Sequence, residues 1–360
     1  MPGTFTLDTE VVTGEWQGSL YAIYVPPSWN GDLVLYAHGW IHPDAPIALP
    51  PVDGFRDLVL DDGFAIAYSS YSENGWAVRQ GFKETEHLLP LFRSHFGPPD
   101  RVYVTGQSMG GLISVMLAEK HPGKYDGALP ICGVIGGAVM AGDYVTDVRI
   151  LFDAYFPDVL PESALDIPDG IDVLNEVVLP VYGAVFSEPA KAIEMSYVTE
   201  LGLYWNDVFE LADSTVNGVW FNVSATEDIK DRCGGVFFDN TEGYTHSLPP
   251  PYILDEGTLN EAVEHYTIDK KCFAYLKNWY EPDGKLQIPV FSLHESRDPA
   301  APIKHEWEYA SRVAAQGRSD LLVQRTKDAF GHCENFTDEE WKAAFDELVL
   351  WVEQGVKPLP

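Results

Sequence analysis

Residues 102–111 read VYVTGQSMGG, and Gly106 to Gly110 within them fit the pattern Gly-x-Ser-x-Gly. A predicted apolar strand precedes this pattern, and a predicted helix follows it directly. At a sharp turn from strand to helix the central residue is strained, and only glycine fits on either side of it. The sequence therefore predicts that the Ser108 hydroxyl is exposed beside the positive end of a helix. The alternative is a glycine-rich helix start with an incidental serine.

The segments around this turn alternate between two kinds of hydrophobic period. Strands are predicted at residues 6–12, 19–25, 33–37, 64–68, 101–105, 127–131, 288–293 and 320–325. Helices are predicted at residues 52–61, 76–96, 109–121, 301–316 and 338–354, the last of them starting with a capping box at Thr337 and Glu340. This alternation predicts an α/β fold whose sheet is mostly parallel and carries helices on both faces.

The alternation stops between residues 136 and 285, which we call the cap segment. This segment is rich in proline, acidic and aromatic residues and shows no regular period. An insertion that covers the sheet is the simplest interpretation, with residues 1–135 and 286–360 forming the catalytic core. The aromatic side chains of the cap segment either line a hydrophobic site or form the segment's own core, and we favour the second.

A serine hydroxyl is a weak nucleophile, so Ser108 needs a histidine that accepts its proton and an acid that orients the histidine. On this kind of turn both partners come later in the chain, on loops after the last strands. His332 meets this requirement, because it lies between the last predicted strand and the final helix. An ordinary surface-loop histidine is the alternative. Three other histidines compete for the role: His246, His294 and His305.

Asp298 is the predicted acid. It follows the predicted strand 288–293 and lies in a loop that Pro299 and Pro302 stiffen. A buried carboxylate there would fix the tautomer of the histidine and stabilise the imidazolium that forms during reaction. Glu295 is the nearest substitute, and helix capping is the alternative role for Asp298.

Two backbone amides are needed to stabilise the oxyanion. One is the amide of Met109, directly after the nucleophile, and the other comes from the loop after the third strand. We expect the Trp40 amide there, with Ile41 as the fallback, because Gly39 lets the backbone approach closely. His38 in the same loop is expected to be structural.

In its motifs and their order the chain resembles the α/β-hydrolase superfamily. The resemblance covers about residues 5–135 and 285–357, with Ser108, Asp298 and His332 in the superfamily's order of nucleophile, acid and histidine. It implies the α/β-hydrolase fold with a large cap insertion, and a serine hydrolase that uses no cofactor.

A narrower likeness is to bacterial carboxylesterases related to the tannase and feruloyl esterase group, over residues 106–111, 125–133 and 331–333. That group carries a cysteine directly before the serine, bonded to the cysteine after the histidine. Here Gln107 occupies the first position. Cys333 is therefore either free or paired with Cys132, and the pairing of Cys233 with Cys272 is equally open.

The leading functional hypothesis is a carboxylic ester hydrolase that forms an acyl-enzyme. An amidase or aminopeptidase and an acyltransferase use the same triad, and cap carboxylates that could bind a free amino terminus are Glu227, Asp228 and Glu242. A non-catalytic binding protein of the same fold is the remote alternative, since it should have lost a triad residue. Side chains that could contact substrate are Gln107, Trp76 and Tyr71.

The charge of the chain excludes several partners. With 23 Lys and Arg against 55 Asp and Glu, the formal net charge is −32, which disfavours nucleic acid, anionic membranes and anionic substrates. The expected substrate is a small, neutral ester that is partly aromatic or hydrophobic. Such an acidic surface also suggests a saline habitat.

Other sequence signals are sparse. We find no metal-ligand cluster, no nucleotide-binding motif and no run of about 18 apolar residues that could span a membrane. No secretory signal is visible in the sequence as given, so the protein is expected to be cytoplasmic, or secreted if a signal was removed. A homo-oligomer is compatible with the sequence.

Overall fold

A single sheet of eight strands organises the chain. The computed structural model describes residues 9–161, 163–198 and 201–360. The strands are β1 Glu10–Trp16, β2 Ser19–Val25, β3 Leu33–Ala37, β4 Ala65–Ser69, β5 Val102–Gln107, β6 Gly127–Ile131, β7 Val290–Arg297 and β8 Leu322–Phe330. Their order in the sheet is β1-β2-β4-β3-β5-β6-β7-β8. The antiparallel pairings are β1 with β2 and β2 with β4, and the other five pairings are parallel, so the sheet is mostly parallel, as the sequence predicted.

The helices lie on both faces of the sheet and in the cap segment. They are α1 Asp53–Asp61, α2 Val78–Phe96, α3 Met109–Lys120, α4 Ala138–Tyr155, α5 Leu179–Ser187, α6 Pro189–Ser196, α7 Val208–Cys233, α8 Glu256–Ala262, α9 Lys270–Tyr280, α10 Lys304–Ala315 and α11 Asp338–Gln354. Short turns at Val173–Val178 (π-helical) and Ser319–Leu321 (3₁₀) lead into α5 and β8.

The two faces of the sheet bury separate hydrophobic clusters. One cluster contains α1 and α11 side chains, such as Phe55 and Phe345, and the other contains residues of α2, α3 and α10. Strands β3, β4 and β6 are buried along their whole length. This is why they read as continuous apolar runs, which is typical of parallel strands covered on both faces.

Most predicted boundaries agree with the structure within a few residues, and the capping box of Thr337 and Glu340 is confirmed. The predicted bounds of the first strand are wrong. The strand runs over Glu10–Trp16 and not over residues 6–12, of which residues 6–8 lie outside the described part of the chain. The reason is a two-residue hairpin turn at Gln17 and Gly18, both at positive φ, which lets the strand continue to Trp16.

The cap segment is helical. Helices α4 to α9 lie within it, and its described residues contribute no strand to the sheet. Its buried aromatic side chains include Tyr155, Phe156 and Phe237, which join the same hydrophobic cluster as α2 and α3. No helix in the described part of the chain is long and apolar enough to cross a membrane. The division into a core and a cap domain stays a prediction.

Candidate active site

Ser108 stands at the turn between β5 and α3. Its backbone has φ 55° and ψ −121°, in the strained region that the motif predicts. The two glycines of the motif are sterically required. A Cβ added at Gly106 or at Gly110 would lie 2.4 Å or 2.0 Å from the carbonyl oxygen of Ala37 in β3. The turn therefore packs closely against β3, and this contact fixes the position of the serine.

His332 and Asp298 are hydrogen-bonded to each other. The distance from His332 Nδ1 to Asp298 Oδ2 is 2.7 Å, and the carboxylate is buried. The other oxygen of Asp298 accepts hydrogen bonds from the amides of Ala300 and Ala301, both at 2.8 Å. A carboxylate at Nδ1 holds the proton there, so Nε2 of His332 becomes the acceptor.

Within the described residues the structure records no hydrogen bond between Ser108 Oγ and His332. A hydrogen bond between a nucleophile and its base is often long or poorly aligned and tightens only in the complex with substrate. The backbone nevertheless links the two loops. The Ser108 amide donates to the carbonyl of Ile131, and the next residue, Cys132, is bonded to the neighbour of His332 through its disulfide with Cys333.

Two opposing effects act on the pKa of His332. Burial of the imidazole lowers this pKa, but the adjacent Asp298 carboxylate raises it by charge and by hydrogen bonding, and the net direction is upward. The side chain keeps 21% of its surface exposed. His332 is thus a stronger base than an isolated histidine while it remains in reach of solvent.

His294, named in the sequence analysis as a rival for the base, lies buried behind Asp298, a position that sequence reasoning did not predict. His294 Nε2 lies 3.6 Å from Asp298 Oδ2, and its Nδ1 lies 3.3 Å from Glu306 Oε1. Burial lowers the pKa of His294, yet the two carboxylates raise it to about 9. The side chain lies between two carboxylates, whose charge favours its protonated form. The signal in the sequence was the spacing of His294 and Asp298 by four residues at the end of β7.

The other candidates of the sequence analysis lie apart from this pair. Glu295 is fully buried, its pKa is raised to about 7 chiefly by desolvation, and it makes no hydrogen bond to His332. His305 is buried in α10, where its Nδ1 accepts the Gly136 amide. His246 lies in the cap segment against Tyr155.

The loop after β3 passes directly beside the serine. A Cβ on Gly39 would lie 3.3 Å from Ser108 Cβ and from the Gln107 carbonyl oxygen, so any larger residue would crowd the serine. In the described parts of the chain, neither the Trp40 amide nor the Met109 amide donates a hydrogen bond to another protein group. His38 is buried, bonds to the Gly39 carbonyl at 2.7 Å and stacks on Tyr71, as expected for a structural residue.

The three predicted substrate contacts have different surroundings. Trp76 lines a cavity next to Ser108. Gln107 lies at the end of β5, where its side chain accepts a hydrogen bond from Tyr36. Tyr71 requires a correction, because it is fully buried and donates its hydroxyl to the His38 carbonyl. It supports the loop before Trp40 and offers no group to a substrate.

The cavity has a volume of about 50 Å³ and lies between the sheet and the cap segment. Residues of the β3, β4, β6 and β7 loops, of α4 and of α7 form its walls together with Ser108. Trp220 and Phe221 of α7 contact the Trp40 ring edge-on, with centroids 5.6 and 5.5 Å away. Helix α7 of the cap segment therefore forms part of the cavity wall next to Trp40.

All four cysteines are paired. Cys132 is bonded to Cys333, and Cys233 is bonded to Cys272 within the cap segment. The first disulfide joins the end of β6 to the loop of His332. Cys132, His332 and Cys333 also lie close enough together to suggest a metal site, but disulfide sulfurs are not the thiolates that bind metals.

Comparison with known proteins places these features in context. Residues 40–137 match the family described as "Putative esterase". An o-phthalyl amidase from Xanthobacter agilis is 22% identical over an alignment of 430 positions, gaps included. The alignment covers 97% of this chain and 88% of that protein.

Similar folds occur among solved structures. Feruloyl esterase B from Aspergillus oryzae matches with a TM-score of 0.50 and 14% identity, over 97% of this chain and 80% of that one. An acylaminoacyl peptidase from Pyrococcus horikoshii matches with a TM-score of 0.49 and 9% identity; the match covers 97% of this chain but only 42% of the peptidase.

The sheet order, the strained serine turn and the match to feruloyl esterase B define the fold of the chain. It is the α/β-hydrolase fold, which the resemblance seen in the sequence implied. The family match and the Xanthobacter agilis relative both point to hydrolases, the first described as an esterase and the second named an amidase.

Proposed function

We propose that the protein is a serine hydrolase that cleaves carboxylic esters through an acyl-enzyme. The observation that carries this proposal is the 2.7 Å bond from buried Asp298 to His332, on the loop that a disulfide ties to the strand beside Ser108. The esterase family match over residues 40–137 supports it. The reaction needs no group beyond these residues and water.

The proposed steps follow from the positions of the groups. Ser108 Oγ attacks the carbonyl carbon of the ester and gives its proton to His332 Nε2, while Asp298 stabilises the imidazolium. The amides of Trp40 and Met109 stabilise the negative charge on the carbonyl oxygen. His332 then protonates the leaving alcohol. A water molecule, deprotonated by His332, releases the acid and restores Ser108.

Amide cleavage is the second candidate, and one specific observation favours it. The Xanthobacter agilis relative is named an amidase and aligns with 97% of this chain. An aminopeptidase is disfavoured, because two of the three cap carboxylates already have partners. Asp228 bonds to the Trp76 amide and to Arg232, and Glu227 pairs with Lys230. An acyltransferase differs only in the acceptor that replaces water.

Labelling with a fluorophosphonate tests the nucleophile. We expect one adduct, on Ser108, because the histidine and the oxyanion donors activate that hydroxyl alone. Ser108→Ala should abolish labelling. Ser94→Ala, an exposed serine on α2, is the matched control and should label like the wild type. The proposal fails if peptide mapping places the adduct elsewhere, or if Ser108→Ala still labels.

Matched substrates test whether the enzyme prefers to cleave an ester or an amide bond. A p-nitrophenyl ester and the p-nitroanilide of the same acyl group are compared, each with wild type and Ser108→Ala. We expect Ser108-dependent turnover with a higher kcat/KM for the ester. A higher kcat/KM for the anilide would replace the ester proposal by the amidase one.

The disulfide next to His332 yields a further prediction. Cys333→Ser frees the His332 loop from β6, and a displacement of about 1 Å can cost roughly 10²-fold in rate. We therefore expect kcat/KM to fall by about that factor at temperatures where circular dichroism shows a folded protein. Cys272→Ser removes the other disulfide and should leave kcat/KM within a few-fold of the wild-type value. Equal losses in both variants would contradict a local role.

A further inference from the structure

The cavity next to Ser108 limits what the enzyme can acylate. We propose that it is the acyl pocket and that it takes an uncharged acyl group of two to four carbons. This inference rests on the proposed function, because it assumes that Ser108 carries the acyl group. It goes further by naming the substrate class.

The position of the cavity relative to the catalytic residues identifies it as the acyl side. Trp40 and Ser108 line it, whereas neither His332 nor Asp298 is among its described lining residues. The histidine that protonates a leaving group must lie beside that group. The leaving alcohol therefore occupies the side of His332, which solvent reaches, and the acyl chain occupies the cavity.

The chemistry of the walls excludes a charged acyl group. Ser108 is the only polar residue among the described lining residues, and the rest are apolar side chains or glycine. A carboxylate or ammonium in such a site would lose its hydration and find no partner. An acyl group that carries a second carboxylate, as a phthalyl group does, is thus disfavoured here, although the relative from Xanthobacter agilis is named for it.

The size of the cavity sets the length of the chain. One water-sized probe needs about 10–15 Å³, so a volume of about 50 Å³ holds about three to five non-hydrogen atoms, the carbonyl carbon and oxygen among them. The carbonyl carbon of the substrate lies at Ser108 and its oxygen lies at the oxyanion donors. The remaining space fits the one to three further carbons of an acetyl, propionyl or butyryl group.

The α7 wall of the cavity is held in place by hydrogen bonds. Phe221, Ala225 and Ile229 line it from α7. The same helix is tied to the loop after β4, because Asp228 accepts the Trp76 amide at 2.6 Å and Arg232 donates to the Asn74 carbonyl at 2.7 Å. These bonds keep α7 in place and make its side chains the determinants of acyl length.

A series of p-nitrophenyl esters tests the length limit. Acetate, propionate, butyrate, hexanoate and octanoate are compared by kcat/KM, together with benzoate and the hydrogen phthalate monoester. We expect the maximum between two and four carbons and at least a tenfold fall at hexanoate, since one poorly fitting methylene costs about 10-fold or more. The hydrogen phthalate monoester should be the poorest substrate of the series.

Variants of α7 test whether its side chains set the limit. Ile229→Ala lengthens the cavity and should raise the ratio of kcat/KM for hexanoate to butyrate by about tenfold. Ala225→Val fills part of the cavity and should lower the ratio of kcat/KM for butyrate to that for acetate. Ile193→Ala, a partly exposed isoleucine on α6, is the control and should leave both ratios unchanged.

The outcomes separate this inference from the proposed function. If octanoate or phthalate is turned over as well as butyrate in a Ser108-dependent way, the acyl pocket is wrongly assigned while the hydrolase mechanism stands. Unchanged ratios in both α7 variants would also overturn it. If no ester or amide in the series gives Ser108-dependent turnover, the proposed function itself is wrong.

Discussion

Asp298→Asn is expected to lower kcat/KM by about 10⁴-fold, the effect of removing the orienting carboxylate from a Ser-His-Asp triad. An asparagine keeps the shape of the side chain but favours the wrong tautomer of His332. The buried aspartate accepts the 2.7 Å bond from Nδ1, and no other carboxylate in the described residues bonds to that imidazole. Steady-state kinetics on the preferred ester measures the loss.

Glu295→Gln is the matched control for this variant. Glu295 is a buried carboxyl on β7, the strand that leads into the Asp298 loop, but it makes no hydrogen bond to His332. We expect kcat/KM of Glu295→Gln to stay within about tenfold of the wild type. If Asp298→Asn retains activity and Glu295→Gln loses it, Glu295 is the acid and the assignment of Asp298 is wrong.

The pH profile gives an independent readout of the same contact. The proposed catalytic base is neutral His332, so kcat/KM should rise as pH increases through the pKa of that histidine. Burial lowers this pKa and the Asp298 carboxylate raises it, with a net upward shift. Without the carboxylate the pKa of His332 falls, and the acidic limb of the residual activity of Asp298→Asn should move to lower pH. A shift to higher pH would contradict the electrostatic role of Asp298.

The positions of the proposed catalytic residues were predictable because their signals are local. Gly106, Ser108 and Gly110 belong to one turn whose steric needs dictate the residue types on both sides of the serine. His332 and Asp298 stand at the ends of consecutive parallel strands, so the topology alone places them at one edge of the sheet. The 2.7 Å bond between them agrees with this expectation.

Features that depend on long-range packing could not be decided from the sequence. The pairing of Cys132 with Cys333 was one of two open alternatives, because the two residues are 201 positions apart and only the convergence of β6 with the loop after β8 brings them together. Tyr71 was expected near substrate because it follows β4, but its positive φ of 54° turns the side chain inward to support His38. The contact of Trp220 with Trp40 depends on how α7 packs over the sheet, and the cap segment shows no period that would predict it.

Gly110→Ala is expected to destabilise the fold by about 3 kcal/mol or more and to abolish activity. A Cβ at this position would lie 2.0 Å from the Ala37 oxygen, 2.6 Å from the Ala37 carbon and 2.8 Å from the His38 oxygen. All three atoms are backbone, so the clash cannot be relieved by a side-chain rotation, and overpacking of this kind costs about 1–3 kcal/mol or more.

The same clash connects stability to chemistry. To admit the Cβ, the end of β3 must move away from α3, and the residues that follow it are His38, Gly39 and Trp40. The Trp40 amide, the proposed oxyanion donor, would move with them. Loss of one such donor lowers kcat by about 10²–10³-fold even in a protein that still folds.

Gly183→Ala is the control that separates the clash from helix propensity. Gly183 lies within α5, and nothing approaches within 4 Å of its added Cβ. Alanine is favoured over glycine in a helix by about 0.5–1 kcal/mol, so this variant should be slightly more stable than the wild type and fully active. Urea unfolding followed by circular dichroism, with kcat/KM on the same samples, measures both. Equal unfolding free energies for Gly110→Ala and Gly183→Ala would show that the backbone of β3 yields to the methyl group, and the serine turn would then not be held by its contact with Ala37.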